Sequence, residues 1–145
     1  VERRTALWLS HHWPEQYDRC TVIGRSHVCR RCLWFWPATF LSMAAALAGL
    51  PWPDRLDPWL LALLPVPVVA EWWLEQLGAV RYSPTRQVVL SLVCAPAVGV
   101  GLARYLVDPG DALFWTVVAA YAVVCLAPVL LARRRASVGT VQRDG

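Results

Sequence analysis

Lysine is missing from this chain, and all fourteen of its basic residues are arginine. A total absence of lysine says more about a GC-rich coding sequence than about function. Charge of either sign is also scarce, at 17% of residues. Low charge and 57% apolar content exclude intrinsic disorder. An ordinary soluble domain is about 45–50% apolar, so the composition also weighs against a soluble enzyme. No apolar stretch begins before residue 33, so no cleavable signal peptide is expected. No internal repeat stands out. With 145 residues the chain has room for one domain.

Four long apolar stretches are present, at 33–50, 59–77, 88–107 and 112–132. As helices they would extend roughly 27–32 Å, the thickness of a bilayer core at about 30 Å. The first and last carry no charge, the second carries Glu71 and Glu75, and the third carries Arg104. A small soluble bundle has no means of hiding four helices that are apolar all round. The short links force antiparallel neighbours. The expected fold is therefore an all-α integral membrane protein, with four transmembrane helices in an up-down bundle. Small residues in the first span (Ala44, Ala45, Ala46, Ala48, Gly49) and third span (Ala95, Ala97, Gly99, Gly101) predict close helix packing. Kinks are expected near Pro65, Pro96 and Pro128.

Charge sets the orientation. Twelve arginines fall before the first span, in the second link and after the last span, and the opposite side has Arg55 with Arg104 near it. The positive-inside rule then places both termini in the cytoplasm of a bacterial plasma membrane. The net charge of +4 reads as topology rather than nucleic-acid binding. Arg133, Arg134 and Arg135 open a basic tail, 133–145, suited to anionic headgroups. Trp34, Trp36, Trp52, Trp59, Trp72, Trp73 and Trp115 lie near span ends as an interfacial belt. Arg104 is expected to snorkel, and Cys94 and Cys125 to serve packing.

Residues 1–32 are different. They hold His11, His12, Cys20, His27 and the pair Cys29-x-x-Cys32, in a polar, basic setting. A Cys-x-x-Cys knuckle presents two thiolates to one ion, and zinc takes four sulfur or nitrogen ligands. Cys20, Cys29 and Cys32 with His12 would make such a site, with His11 and His27 as alternatives. An iron–sulfur cluster on the same ligands, or a set of free thiols, are the competing readings. Neighbouring arginines are expected to lower the thiol pKa values. A disulfide is disfavoured on a reducing side. Haem attachment fails because Leu33 follows Cys32, and a thioredoxin-like pair fails for want of a βαβ context.

Glu71 and Glu75 are four apart and share one helix face. Glu71 would lie about 9 Å inside the cytoplasmic half of its span. A carboxylate there faces a bundle interior or a partner charge. Arg81 and Arg86 are the nearby candidates, either as a structural ion pair or as part of a proton-handling or substrate site.

The stretch from His11 to Trp36 resembles the opening of a membrane protein family, domain of unknown function 2085. That family begins with Cys-His and continues to Cys-x-Arg-Cys. Here His11-His12 and Cys29-Arg30-Arg31-Cys32 stand at those places. Glu71, Glu75, Gly78, Arg81 and Ser83 resemble a second block of that family. His11 replaces the first Cys, Trp34 and Trp36 stand where the family has Gly and Tyr, and Arg86 is out of register. The resemblance implies a small polytopic membrane protein with a Cys/His motif, and no activity.

Three functions fit these readings. The first is a non-catalytic accessory or assembly subunit of a larger membrane complex, with a structural zinc site and other membrane subunits as partners. The second is a metal-dependent membrane enzyme at the cytoplasmic face, with Glu71 and Glu75 as acid and base. The third is a transporter with those carboxylates as a proton or metal relay.

Overall fold

The computed structural model describes residues 14–50 and 53–141, with side chains described over 17–50 and 53–127. A 3-10 turn, Pro14–Arg19, leads into a hairpin of β1 (Cys20–Ile23) and β2 (Ser26–Cys29). Five helices follow: α1 (Arg30–Leu47), α2 (Asp57–Leu63), α3 (Val66–Gln76), α4 (Pro84–Val107) and α5 (Ala112–Val141). The described chain is mostly helical, as its composition requires. The hairpin is the exception, and sequence reasoning did not foresee it.

Helix limits follow local chemistry more closely than hydropathy. The 59–77 stretch is not one helix but two. Pro65 and Pro67 remove two amide donors in succession, and the chain turns between Leu63 and Val66. The freed end of α2 is satisfied from outside, where the Tyr121 hydroxyl of α5 donates to the Ala62 carbonyl. α4 starts at Pro84, ahead of the apolar run, because Ser83 is its N-cap and Pro84 fits the first turn. It runs unbroken through Pro96. α3 ends on Gly78, at φ +72°, with amide bonds from Gly78 to Glu75 O and from Ala79 to Leu74 O. That pair of bonds is the Schellman arrangement, which needs a left-handed residue at this place. α1 closes the same way at Gly49. α5 passes residue 132 and continues to Val141, so Arg133, Arg134 and Arg135 lie on the helix.

α1 against α4 is the closest helix pair, and α2, α3 and α5 gather round α4. At Gly99 a Cβ would lie 2.5 Å from the Thr39 carbonyl oxygen and 2.7 Å from Ser42 Cβ. The two backbones therefore touch, as the small residues of α4 suggested. Opposite Gly99 the α1 residues are Thr39, Ser42 and Met43, and Ala44 and Ala48 remain exposed.

The interior is small and partly polar. Its buried apolar residues include Cys94, Ala95, Ala97 and Ala103, beside buried Thr39, Asp57, Glu71, Gln87 and Ser91. The large apolar side chains face outward, among them Leu41 (74% exposed), Val107 (77%) and Val123 (68%). Among the described residues, α4 is the one helix long and apolar enough to cross a membrane, with a shorter apolar helix over Ala112–Ala127.

Candidate functional site

Thr21, Val22, Ile23 and Val28 flank the turn at Gly24 and Arg25, a β-branched pattern that suits paired strands. The register pairs Cys20 with Cys29, Thr21 with Val28, Val22 with His27 and Ile23 with Ser26. Alternation puts Cys20, Cys29 and His27 on one face of the hairpin. Cys29 is also the residue from which α1 departs, so Cys32 lies in the first turn of that helix. The Cys32 thiol is hydrogen-bonded to Cys29 and accepts from the Trp36 indole. Cys20 and Cys29 are buried and Cys32 is half-buried.

Burial, then the charge of Cys29, push the Cys20 thiol above its ordinary value, and Arg30 offsets only part of this. For Cys32 the bond to Cys29 raises the thiol first and burial second, against a smaller lowering by Arg31. The arginines thus do not prevail here, contrary to the sequence expectation, because the thiols are enclosed and adjacent to one another.

Among the described residues no group of three His, Cys, Asp or Glu side chains is placed to hold a metal ion. His27 is stacked on Tyr17, with ring centroids 4.0 Å apart and planes 13° from parallel. His11 and His12, the other proposed nitrogen ligands, lie outside the described residues.

The other face of the hairpin is tied to the bundle by arginine. Arg30 donates to Thr21 Oγ1 (3.3 Å), to the Cys20 carbonyl (3.1 Å) and to the Tyr82 hydroxyl (3.2 Å). Tyr82 passes the connection to Gln87 Oε1 at 3.2 Å. The Arg19 guanidinium lies 4.8 Å over the Tyr82 ring. Arg19 also forms an ion pair with Glu75.

Glu71 is buried and has both oxygens engaged, by Arg31 Nη2 at 3.1 Å and Arg86 Nε at 3.0 Å. Arg86 was expected. Arg81 is exposed and contributes only its carbonyl, which accepts from Arg86 Nη2 at 2.6 Å. Arg31 and Arg19 were missed. A signal was available: α1 has two arginines and no acid in its first turn, where a helix repels cations. Such residues need carboxylates, and Glu71 and Glu75 are the acids within an apolar stretch. The network joins hairpin, α1, α3 and α4 as a clamp, with neither carboxylate left unengaged.

At the opposite end, Arg104 bonds Asp57 at 2.6 Å and Asp111 at 2.7 Å. This bridge between α2, α4 and the α4–α5 link replaces the expected snorkelling. It borders a cavity of about 450 Å³ that also meets Asp54 and Asp108. Of the expected aromatic belt, Trp34, Trp36, Trp59 and Trp115 are exposed. Trp73 is instead half-buried and donates to the Val124 carbonyl of α5, and Trp52 lies outside the described residues.

No family model, curated protein or solved structure matches the chain. The likeness to domain of unknown function 2085 therefore stands on the quoted motifs alone.

Proposed function

We propose that this chain is a small multi-pass membrane protein, acting as a non-catalytic subunit of a larger membrane complex. Its hairpin segment and both termini face the cytoplasm. One observation carries the reading: large apolar side chains face outward while Thr39, Asp57, Glu71, Gln87 and Ser91 are enclosed. A water-soluble domain rarely exposes apolar patches on this scale, whereas lipid-facing helices do so by necessity. In this reading α1, the broken pair α2–α3, α4 and α5 each cross the bilayer. The arginine network lies at the cytoplasmic mouth, and Asp54, Asp57, Asp108 and Asp111 lie at the outer end.

The engagement of Glu71 and Glu75 by arginines favours the subunit over the enzyme or relay. A group that must receive or release a proton needs access to its substrate, and the Glu71 side chain is only 5% exposed. Zinc remains part of the proposal through Cys20, Cys29 and Cys32, with His12 or His11 as the fourth ligand.

Membrane fractionation with alkaline extraction tests the placement, and reporter fusions at each terminus and each link test the topology. Retention in the membrane with cytoplasmic termini is expected, and release into the soluble fraction would overturn the reading. Stable recovery of a second membrane protein with the tagged chain in mild detergent supports the subunit role. A monodisperse chain that is stable alone and turns over a substrate refutes it. About one zinc per chain by elemental analysis, lost in a Cys29→Ser, Cys32→Ser variant, is the expected metal result.

A further inference from the structure

We propose that Cys20, Cys29 and Cys32 form a thiol–disulfide exchange site, which accepts oxidising equivalents from a small-molecule disulfide at Cys32 and holds them as a cross-strand Cys20–Cys29 bond. The proposal concerns the metal-free chain, since thiolates held by zinc cannot pair with one another, and it does not depend on the membrane reading.

The geometry begins with the hairpin register. A two-residue turn makes Ile23 and Ser26 a hydrogen-bonded pair. Pair types then alternate, so Cys20 and Cys29 fall on a non-hydrogen-bonded pair. At such pairs the Cα atoms are about 4.5 Å apart, within the span of about 4.4–6.8 Å that a disulfide bridges. Cys29 has a second neighbour as well, since Cys32 is hydrogen-bonded to it across the first turn of α1. One sulfur is thus shared between two possible bonds, one across the strands and one along the helix.

Access sets the order of events. Cys20 and Cys29 are buried, and Cys32 is half-buried beside exposed Trp36. Cys32 passes its proton to the neighbouring Cys29 sulfur as it attacks the small disulfide RS–SR, the S–S bond breaks, and RS⁻ leaves and takes up a proton. The Cys29 thiolate then attacks the Cys32 sulfur and expels the second RS⁻, giving Cys29–Cys32. Finally the Cys20 thiolate attacks the Cys29 sulfur and Cys32 departs, recovering its proton. Two protein thiols are oxidised, one small disulfide is reduced to two thiols, and Cys32 is free again.

The location gives the bond a consequence. Arg30 binds the Cys20 carbonyl and Tyr82, and Arg19 binds Glu75. A Cys20–Cys29 bond would therefore staple the strands at the point where the hairpin is tied to α3 and α4. A lasting disulfide is disfavoured on a reducing side. Disulfides that occur there are transient and redox-responsive.

The test uses the full chain in detergent, chelator-treated to strip metal and equilibrated with oxidised and reduced glutathione. Free thiols are blocked with a maleimide, and linked peptides are identified by mass spectrometry. The expected product is one Cys20–Cys29 bond with Cys32 blocked. In Cys20→Ser the bond moves to Cys29–Cys32. In Cys32→Ser the Cys20–Cys29 bond still forms, roughly tenfold more slowly, because the entering disulfide must reach a buried thiol. Circular dichroism checks that each variant is folded, and should one not be, the wild-type map alone decides. Three blocked thiols in the wild type, glutathione left on Cys32 with no internal bond, or a bond that uses Cys94 or Cys125 would each overturn the proposal. Elemental analysis before chelation reads the zinc proposal separately.

Discussion

Thr39 is wholly enclosed where α1 meets α4, and its hydroxyl has no hydrogen-bond partner. A buried polar group without a partner costs stability, and an isosteric methyl does not. Thr39→Val is therefore expected to raise stability by about 1 kcal/mol, seen as a higher thermal midpoint in detergent. A lower midpoint would mean that the hydroxyl has a role the packing does not show. Asp111 lies at the other end of the molecule. Its carboxyl is held below the usual aspartate range, first by the Arg104 guanidinium and then by the Phe114 amide. A depressed folded value means the stabilisation is present above the ordinary carboxylate pKa of about 3.9 and fades as pH falls through the folded value. Unfolding midpoints of the wild type should therefore drop on acidification below that range. Asp111→Asn should have a lower midpoint at neutral pH and lose part of that acid dependence.

At the scale of elements, the α1–α4 contact is the tightest and the most sensitive to size. Adding one methyl at Gly99 brings Cβ to 2.5 Å from a backbone oxygen, which has no side-chain freedom with which to retreat. Gly99→Ala should push the helices apart and destabilise by about 1–3 kcal/mol. Gly101→Ala is the control, since its Cβ would first meet the Leu61 side chain at 3.2 Å, a group that can shift. Equal losses in the two variants would argue against backbone contact as the cause. Small residues were legible as a packing signal, yet which residues of α1 they met was not. Residue size pointed to Ala44, Ala45, Ala46, Ala48 and Gly49, whereas helix rotation sets Thr39, Ser42 and Met43 against Gly99. A kink at Pro65 was legible, but the full break was not, and it follows from two amide donors missing within three residues. The continuity of α4 through Pro96 was not, since a lone proline leaves that outcome to its neighbours. The hairpin was overlooked because Cys and His drew the reading of 1–32 toward a metal knuckle. The β-branched residues on either side of Gly24 were the signal that would have found it.

For the whole molecule, the two ionic networks tie α3 to α1 and α4 at one end, and α2 to α4 and the α4–α5 link at the other. Glu71→Gln removes the charge that Arg31 and Arg86 share, and should cost about 1.5–3 kcal/mol of stability. It should also loosen the hairpin, read as faster maleimide labelling of Cys20 and Cys29. If labelling is unchanged, the network does not hold the hairpin on the bundle. Arg86 was predictable as a Glu71 ligand from proximity along the chain. Arg31, forty residues away, became one only when α1 and α3 were brought together.

What the sequence determined alone is the material: long apolar stretches, arginine gathered before the first, after the last and in the middle link, three cysteines within thirteen residues, and two carboxylates inside an apolar stretch. These follow from composition and spacing, which need no tertiary contact to be read. Partner choice was decided only by the tertiary structure. Strand register set Cys20 opposite Cys29, and helix packing brought Arg31 to Glu71 and Arg104 to Asp57 and Asp111. Short-range forces act across distances in space, and residues far apart in the chain acquire such distances only once the backbone has closed on itself.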